Sequence, residues 1–264
     1  MPAIWRSTHR FHAASIVALT AFGLAAPGAL ADNGQNGPPN FLMTWDASGD
    51  NLDPYQYDPS EYGTVNWDPN HVNSMNGQVQ PGWRYVGELN NAAWHMDWNC
   101  VANADPFVDA TINVTNNSAT TQTFWVYMPL VIVPTGPITD LSGSVSAVVS
   151  DENFDGGATL AATTLEPVFQ GYIDGLPQPN ATIWNPGYTL SAPAFGAAND
   201  TSSFAGQTGP AALTQIALQL KFTLSPGDSA SVSGTFIVNG VPAPAGLPIL
   251  AAFGAIITGR RRRR

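Results

Sequence analysis

Apolar and polar residues alternate one by one over several stretches of this chain, the period expected of half-buried strands. From Phe107 onward, Val108, Ala110, Ile112 and Val114 alternate with Asp109, Thr111, Asn113 and Thr115. Asn116-Asn117-Ser118 is a turn, and Thr121 to Val133 returns as a long apolar strand. The two predict a Phe107–Val133 hairpin, with Pro129 as a bend or an edge break. Ile216, Leu218, Leu220, Phe222 and Leu224 are spaced by two between Leu213 and Leu224. After the turn Ser225-Pro226-Gly227-Asp228, the run Ser229–Val238 is expected to close a second hairpin. Leu141–Val149, Thr159–Tyr172 and Thr182–Leu190 predict further strands. Nearer the start, Phe41–Trp45 and Trp83–Leu89 read as strands, and Trp94, Met96 and Trp98 alternate with His95, Asp97 and Asn99. Only 209–218 invites a helix. Strands spaced roughly ten to fifteen residues apart, rich in Thr, Val and Ser, predict an all-β fold, an antiparallel β-sandwich of immunoglobulin-like or jelly-roll-like type.

The two ends read differently. Arg6 and Arg10 precede an apolar core from about Ala13 to Ala26, and Ala29-Leu30-Ala31 offers small residues where a signal peptidase cuts. Residues 1–31 are therefore expected to be a secretory signal peptide removed before Asp32. At the other end, 241–264 reads Val241-Pro242-Ala243-Pro244, an apolar run Leu247–Thr258, then Arg260, Arg261, Arg262, Arg263 and Arg264. Arginines are held on the cytoplasmic side of a membrane, which leaves the preceding body outside the cytoplasm. The apolar run is short: twelve helical residues span ~18 Å against a hydrocarbon core of ~30 Å. This three-part tail resembles the PEP-CTERM sorting signal of bacterial surface proteins, with Ala243 where that family has Glu. The resemblance implies handling by an exosortase-like sorting enzyme, transient membrane anchoring through this segment alone, and delivery to the cell surface or extracellular matrix.

Between the ends lie an Asp-, Asn- and Trp-rich part, 32–106, and the clearer β pattern of 107–240. In the first, Asp53-Pro54, Asp58-Pro59 and Asp68-Pro69 predict loops with short strands, each aspartate bonding local backbone. Removing both signals changes the charge. Only Arg84 and Lys221 remain against all nineteen acidic residues, a formal −17. Such a body does not bind nucleic acid or an anionic membrane by charge. Cys100 is the single cysteine, so no disulfide staples the chain and the core must suffice.

Candidate chemistry is of three kinds. Asp46, Asp50 and Asp53 crowd one glycine-containing loop, and Asp151, Asn153 and Asp155 another. Such loops supply part of the oxygen set calcium requires, which makes calcium the candidate cofactor, although neither carries the glutamate that closes an EF-hand loop. Ordinary Asx-turns account for the same residues. Trp67, Trp83, Trp94 and Trp98 could stack against sugar rings, or simply fill the core. No catalytic residues are assigned: His71 and His95 stand apart, and neither a nucleophile elbow nor a zinc-protease motif occurs. Carboxylate pairs for glycoside hydrolysis would come together only in the fold.

The reading is a secreted bacterial surface or matrix protein, structural or adhesive within exopolysaccharide. Its rival is a carbohydrate-binding module or a secreted glycan hydrolase. Exposed coplanar tryptophans beside carboxylates would favour the rival, and buried ones the structural role.

Overall fold

A computed structural model describes residues 37–47, 55–73, 75, 77–154 and 156–241. Residues 1–31, expected to be a signal peptide, the tail expected to be a sorting signal beyond Val241, and Asp50, Asp53 and Asp155 lie outside the described residues. Apart from one 3₁₀ turn, the regular structure of the described chain is all strand. In order it forms β1 (Met43–Ala47), β2 (Tyr55–Tyr57), a 3₁₀ turn (Pro59–Tyr62), β3 (Gly63–Asp68), β4 (Gly82–Asn90), β5 (Trp94–Asn103), β6 (Phe107–Asn116) and β7 (Gln122–Val131). Then follow β8 (Ile138–Ser150), β9 (Thr159–Ala161), β10 (Phe169–Ile173), β11 (Leu176–Ile183), β12 (Thr189–Ser191), β13 (Ala197–Pro210), β14 (Gln215–Leu224) and β15 (Ser229–Gly240).

Two antiparallel sheets pack face to face. One runs β11-β10-β14-β7-β1-β2, with β9 added to β14 and β12 to β9. The other runs β13-β8-β15-β6-β5-β4-β3. Residues before and after 107 are interleaved: β1 pairs with β7, and β5 pairs with β6. The expected all-β sandwich is the fold found.

Both expected hairpins are corrected. β6 belongs to the second sheet and β7 to the first, and β14 and β15 are divided in the same way. Each pair is an arch crossing the core, because the apolar rows face one another instead of lying side by side. A Cβ on Gly234 of β15 would sit 3.0 Å from Leu220 and 3.2 Å from Leu218 of β14. The rows Leu218, Leu220, Phe222 and Val232, Phe236, Val238 are fully buried, with Phe169 edge-on to Phe236 at 6.4 Å.

Pro129 is neither a bend nor an edge residue. β7 lies between β14 and β1, and Pro129 pairs with Ala217. The Pro129 carbonyl accepts from Leu42 N–H at 3.1 Å. An antiparallel residue points both its polar groups to one side. The missing N–H therefore falls beside Leu42, just before β1 begins, and a single ladder bond is lost.

The Asp-Pro reading holds where it is described. Asp58 Oδ1 accepts from Ser60 N–H at 2.9 Å and opens the 3₁₀ turn. Asp68 Oδ1 accepts from Asn70 N–H at 3.0 Å. Cys100 is buried against Met128, and burial pushes its thiol up, away from reactivity.

Candidate functional site

The tryptophans divide by strand alternation. Trp94, Met96 and Trp98 of β5 point inward, with Trp94 4% and Trp98 1% exposed. Trp98 stacks on Trp45 at 6.0 Å inside the sandwich. These two indoles are core and cannot offer a face to a sugar, which corrects half of the expected stacking set. Trp67 and Trp83 stand opposite each other on β3 and β4, partly exposed. Their rings meet edge to face at 5.6 Å and 63°, so they make no flat platform.

A near-parallel aromatic pair exists elsewhere. On β7, Phe124, Val126, Met128 and Leu130 are buried, which turns Trp125 and Tyr127 to the outer face of the first sheet. Their rings lie 6.2 Å apart and 17° from parallel. Tyr172 of β10 meets Tyr127 edge-on at 5.3 Å. Behind the rings sits Gln219 of β14, opposite Tyr127 in register and 3% exposed. Its Oε1 accepts from Trp125 Nε1–H and from the Tyr172 hydroxyl, both at 3.0 Å. Indole N–H can only donate, so the amide orientation is fixed. Tyr172 stands across from Ala217, whose methyl leaves room for the phenol to lean towards Gln219. Burial pushes the phenols of Tyr127 and Tyr172 up, the latter with help from the Glu166 charge, so both rings are neutral at pH 7.

Charged groups rim this face. Asp46 of β1 stands opposite Trp125 and is exposed. Lys221 of β14 stands opposite Trp125 on the other side, and its ammonium is paired with Glu166. A cavity beside Trp125, lined by Trp45, Asp46, Trp94 and Phe124, has room for about one water molecule. That cavity is too small to admit a sugar ring. Sequence reading took Phe124–Met128 as one apolar run; the sign that two faces were present is the row Gln219, Lys221, Thr223 on the strand paired to it.

The expected metal loops fare differently. Among the described residues, no three acidic, His or Cys side chains gather closely enough to hold an ion. Asp46 lies within β1, on the aromatic face of the first sheet, whereas the loop after β8 leaves the second sheet. Asp151 is 5% exposed, and its two oxygens accept separately from Phe154 N–H at 2.8 Å and Phe195 N–H at 2.9 Å. Both phenylalanines adopt a left-handed φ of 61°, and their exposed rings stack at 5.3 Å. Asn153 donates to the Pro226 carbonyl at 2.8 Å. Asp151 and Asn153 thus tie loops together.

His71 Nε2 lies 3.1 Å from Asp109 Oδ2, and Thr235 donates to Asp109 Oδ1 at 3.0 Å. The carboxylate stands between imidazole and hydroxyl, so the imidazole is not placed to take the hydroxyl proton as a nucleophile requires. The trio holds the 69–81 segment over the second sheet, where His71 stacks on Phe107. Among the described residues no helix is long and apolar enough to cross a membrane.

Comparison with family models and with curated proteins finds no match. Among solved structures, the chain is similar to a carbohydrate-binding module determined in complex with β-1,4-galactotriose. Identity is 10%, coverage is 75% of this chain and 88% of that one, and the TM-score is 0.23. That likeness is coarse and places no residue of this chain.

Proposed function

We infer that this is an exported bacterial surface or matrix protein whose sandwich adheres to polysaccharide through the outer face of β7, β14 and β10. The observation that carries the reading is the near-parallel pair Trp125 and Tyr127, both partly exposed, with Trp125 bonded to Gln219 and Tyr127 held edge-on by Tyr172. Large rings that are neither buried nor mobile suit the apolar face of a sugar ring, with phenol and amide groups beside them for its hydroxyls. A strand-built platform is preorganised, so little ordering cost opposes binding. Trp94 and Trp98 serve the scaffold, and the glycan role passes to residues on a different strand.

Export and processing by signal peptidase and an exosortase-like enzyme rest on the two terminal sequences. The last described residue, Val241, donates its N–H to the Ile138 carbonyl.

The test is binding of the purified full chain to soluble polysaccharides by affinity electrophoresis, with indole fluorescence as a second readout. Trp125→Ala and Tyr127→Ala should each lose at least tenfold in affinity while Trp67→Ala loses little. Retention unchanged in both platform variants would remove the reading.

A further inference from the structure

We propose that this face selects glycans by charge, binding chains with free amino groups and rejecting uronate or sulfate chains, an inference that rests on the glycan reading above. Between the two terminal signals the only cations are Arg84 and Lys221, against nineteen acidic residues. Arg84 is on the other sheet, where its guanidinium donates to Asp68 at 3.1 Å and to Asn99 at 2.8 Å. Lys221 flanks Trp125, but Glu166 already matches its charge. No side chain described on this face is left to neutralise an anionic sugar, and the surrounding field repels one.

The same inventory favours a cation. The faces of Trp125 and Tyr127 carry the negative side of their ring quadrupoles, which attract an ammonium group lying over them. Asp46 stands across from Trp125 in register, at the rim of the pair. A chain of amino sugars would therefore meet stacking surface and a carboxylate together. Its uncharged counterpart would meet the stacking surface alone.

The experiment uses the full chain and three oligosaccharide probes of equal length: glucosamine, its N-acetylated form, and galacturonate. Calorimetry at low and near-physiological ionic strength should rank glucosamine tightest, the acetylated form several-fold weaker, and galacturonate without measurable binding. Affinity for glucosamine should fall with added salt and with rising pH as its amines lose their protons. The acetylated probe should show neither trend. Asp46→Asn should weaken glucosamine several-fold and leave the acetylated probe unchanged. Trp125→Ala should weaken both. Equal affinity for glucosamine and the acetylated form, without salt dependence, would overturn charge selection and leave the platform standing. Salt-sensitive glucosamine binding that ignores Trp125→Ala would also overturn it, because the attraction would then belong to the acidic body at large. Binding of none of the three would count against the platform itself.

Discussion

Asp174 carries the most measurable single carboxylate in the scaffold. With Gly175 it forms the two-residue turn joining β10 to β11, at φ 49° and 78°. Asp-Gly suits such a turn because both positions need positive φ. Its carboxylate also reaches the segment entering β14. Oδ1 accepts from Thr214 N–H and Oγ1–H, both at 2.8 Å, and from Gln215 N–H at 3.1 Å; Oδ2 accepts from Leu213 N–H at 3.0 Å. Burial pushes the carboxyl up, but the amides of Thr214, Leu213 and Gln215 and the Thr214 hydroxyl outweigh it. They hold the group below its ordinary 3.8. Asp174→Asn keeps the shape and the tolerance for positive φ, so it isolates the charge. Hydrogen bonds to a charged group contribute ~1.5–3 kcal/mol when buried, and water screens this half-exposed site, so about 1 kcal/mol should be lost. For a domain of this size that is a melting point about 2–4 °C lower. Asp174→Ala adds the cost of a left-handed backbone, for about 2–3 kcal/mol in all. A depressed folded pKa means the contribution is present above the ordinary value and disappears as pH falls through the folded one. The gap between wild type and Asp174→Asn, read by thermal melts followed through tryptophan fluorescence, should be constant near neutrality and shrink as pH falls below 3.8 and through the folded pKa. Equal melting points at pH 7, or a gap that persists in acid, would refute the reasoning.

Gly87→Ala should destabilise by about 2 kcal/mol or more, measured by urea unfolding, since its Cβ would fall 2.4 Å from Trp98 and 2.5 Å from the Tyr62 carbonyl; a neutral result would mean that Trp98 is not fixed there. Asp151→Ala should cost about 2–3 kcal/mol and speed hydrogen exchange at the Phe154 and Phe195 amides, because one carboxylate holds both strained turns. Unchanged exchange at either amide would break that link. Replacing Arg260–Arg264 with serine should misdirect the exported protein. Mass spectrometry of the wild-type chain should find no mature product ending at Arg264 in a host with the sorting enzyme, and such a product would make the tail a plain anchor.

Local pattern determined much of this molecule. The period of two over Phe107–Thr115 and Leu213–Leu224 set which residues of β6 and β14 are buried, and it grouped Trp94, Met96 and Trp98 on one face. The turn at Ser225–Asp228 was equally legible, with Gly227 at φ 73°. β13 was not. Apart from Phe204, which packs on Phe169, its fourteen residues, Ala197–Pro210, are mostly small or polar, because it is the edge strand of its sheet and largely exposed. Nor could the pattern say which strands pair. A strand has the same pleat whether its neighbour in sequence lies beside it or across the core, so β6–β7 and β14–β15 read as hairpins and fold as arches. The Trp125–Tyr127 face depends on that choice. Trp125, Tyr172 and Gln219 lie on three strands far apart in sequence, brought side by side only when β7 and β10 take opposite edges of β14. Alternation fixes which side of its own strand each residue occupies, whereas backbone pairing between distant strands decides what stands next to it.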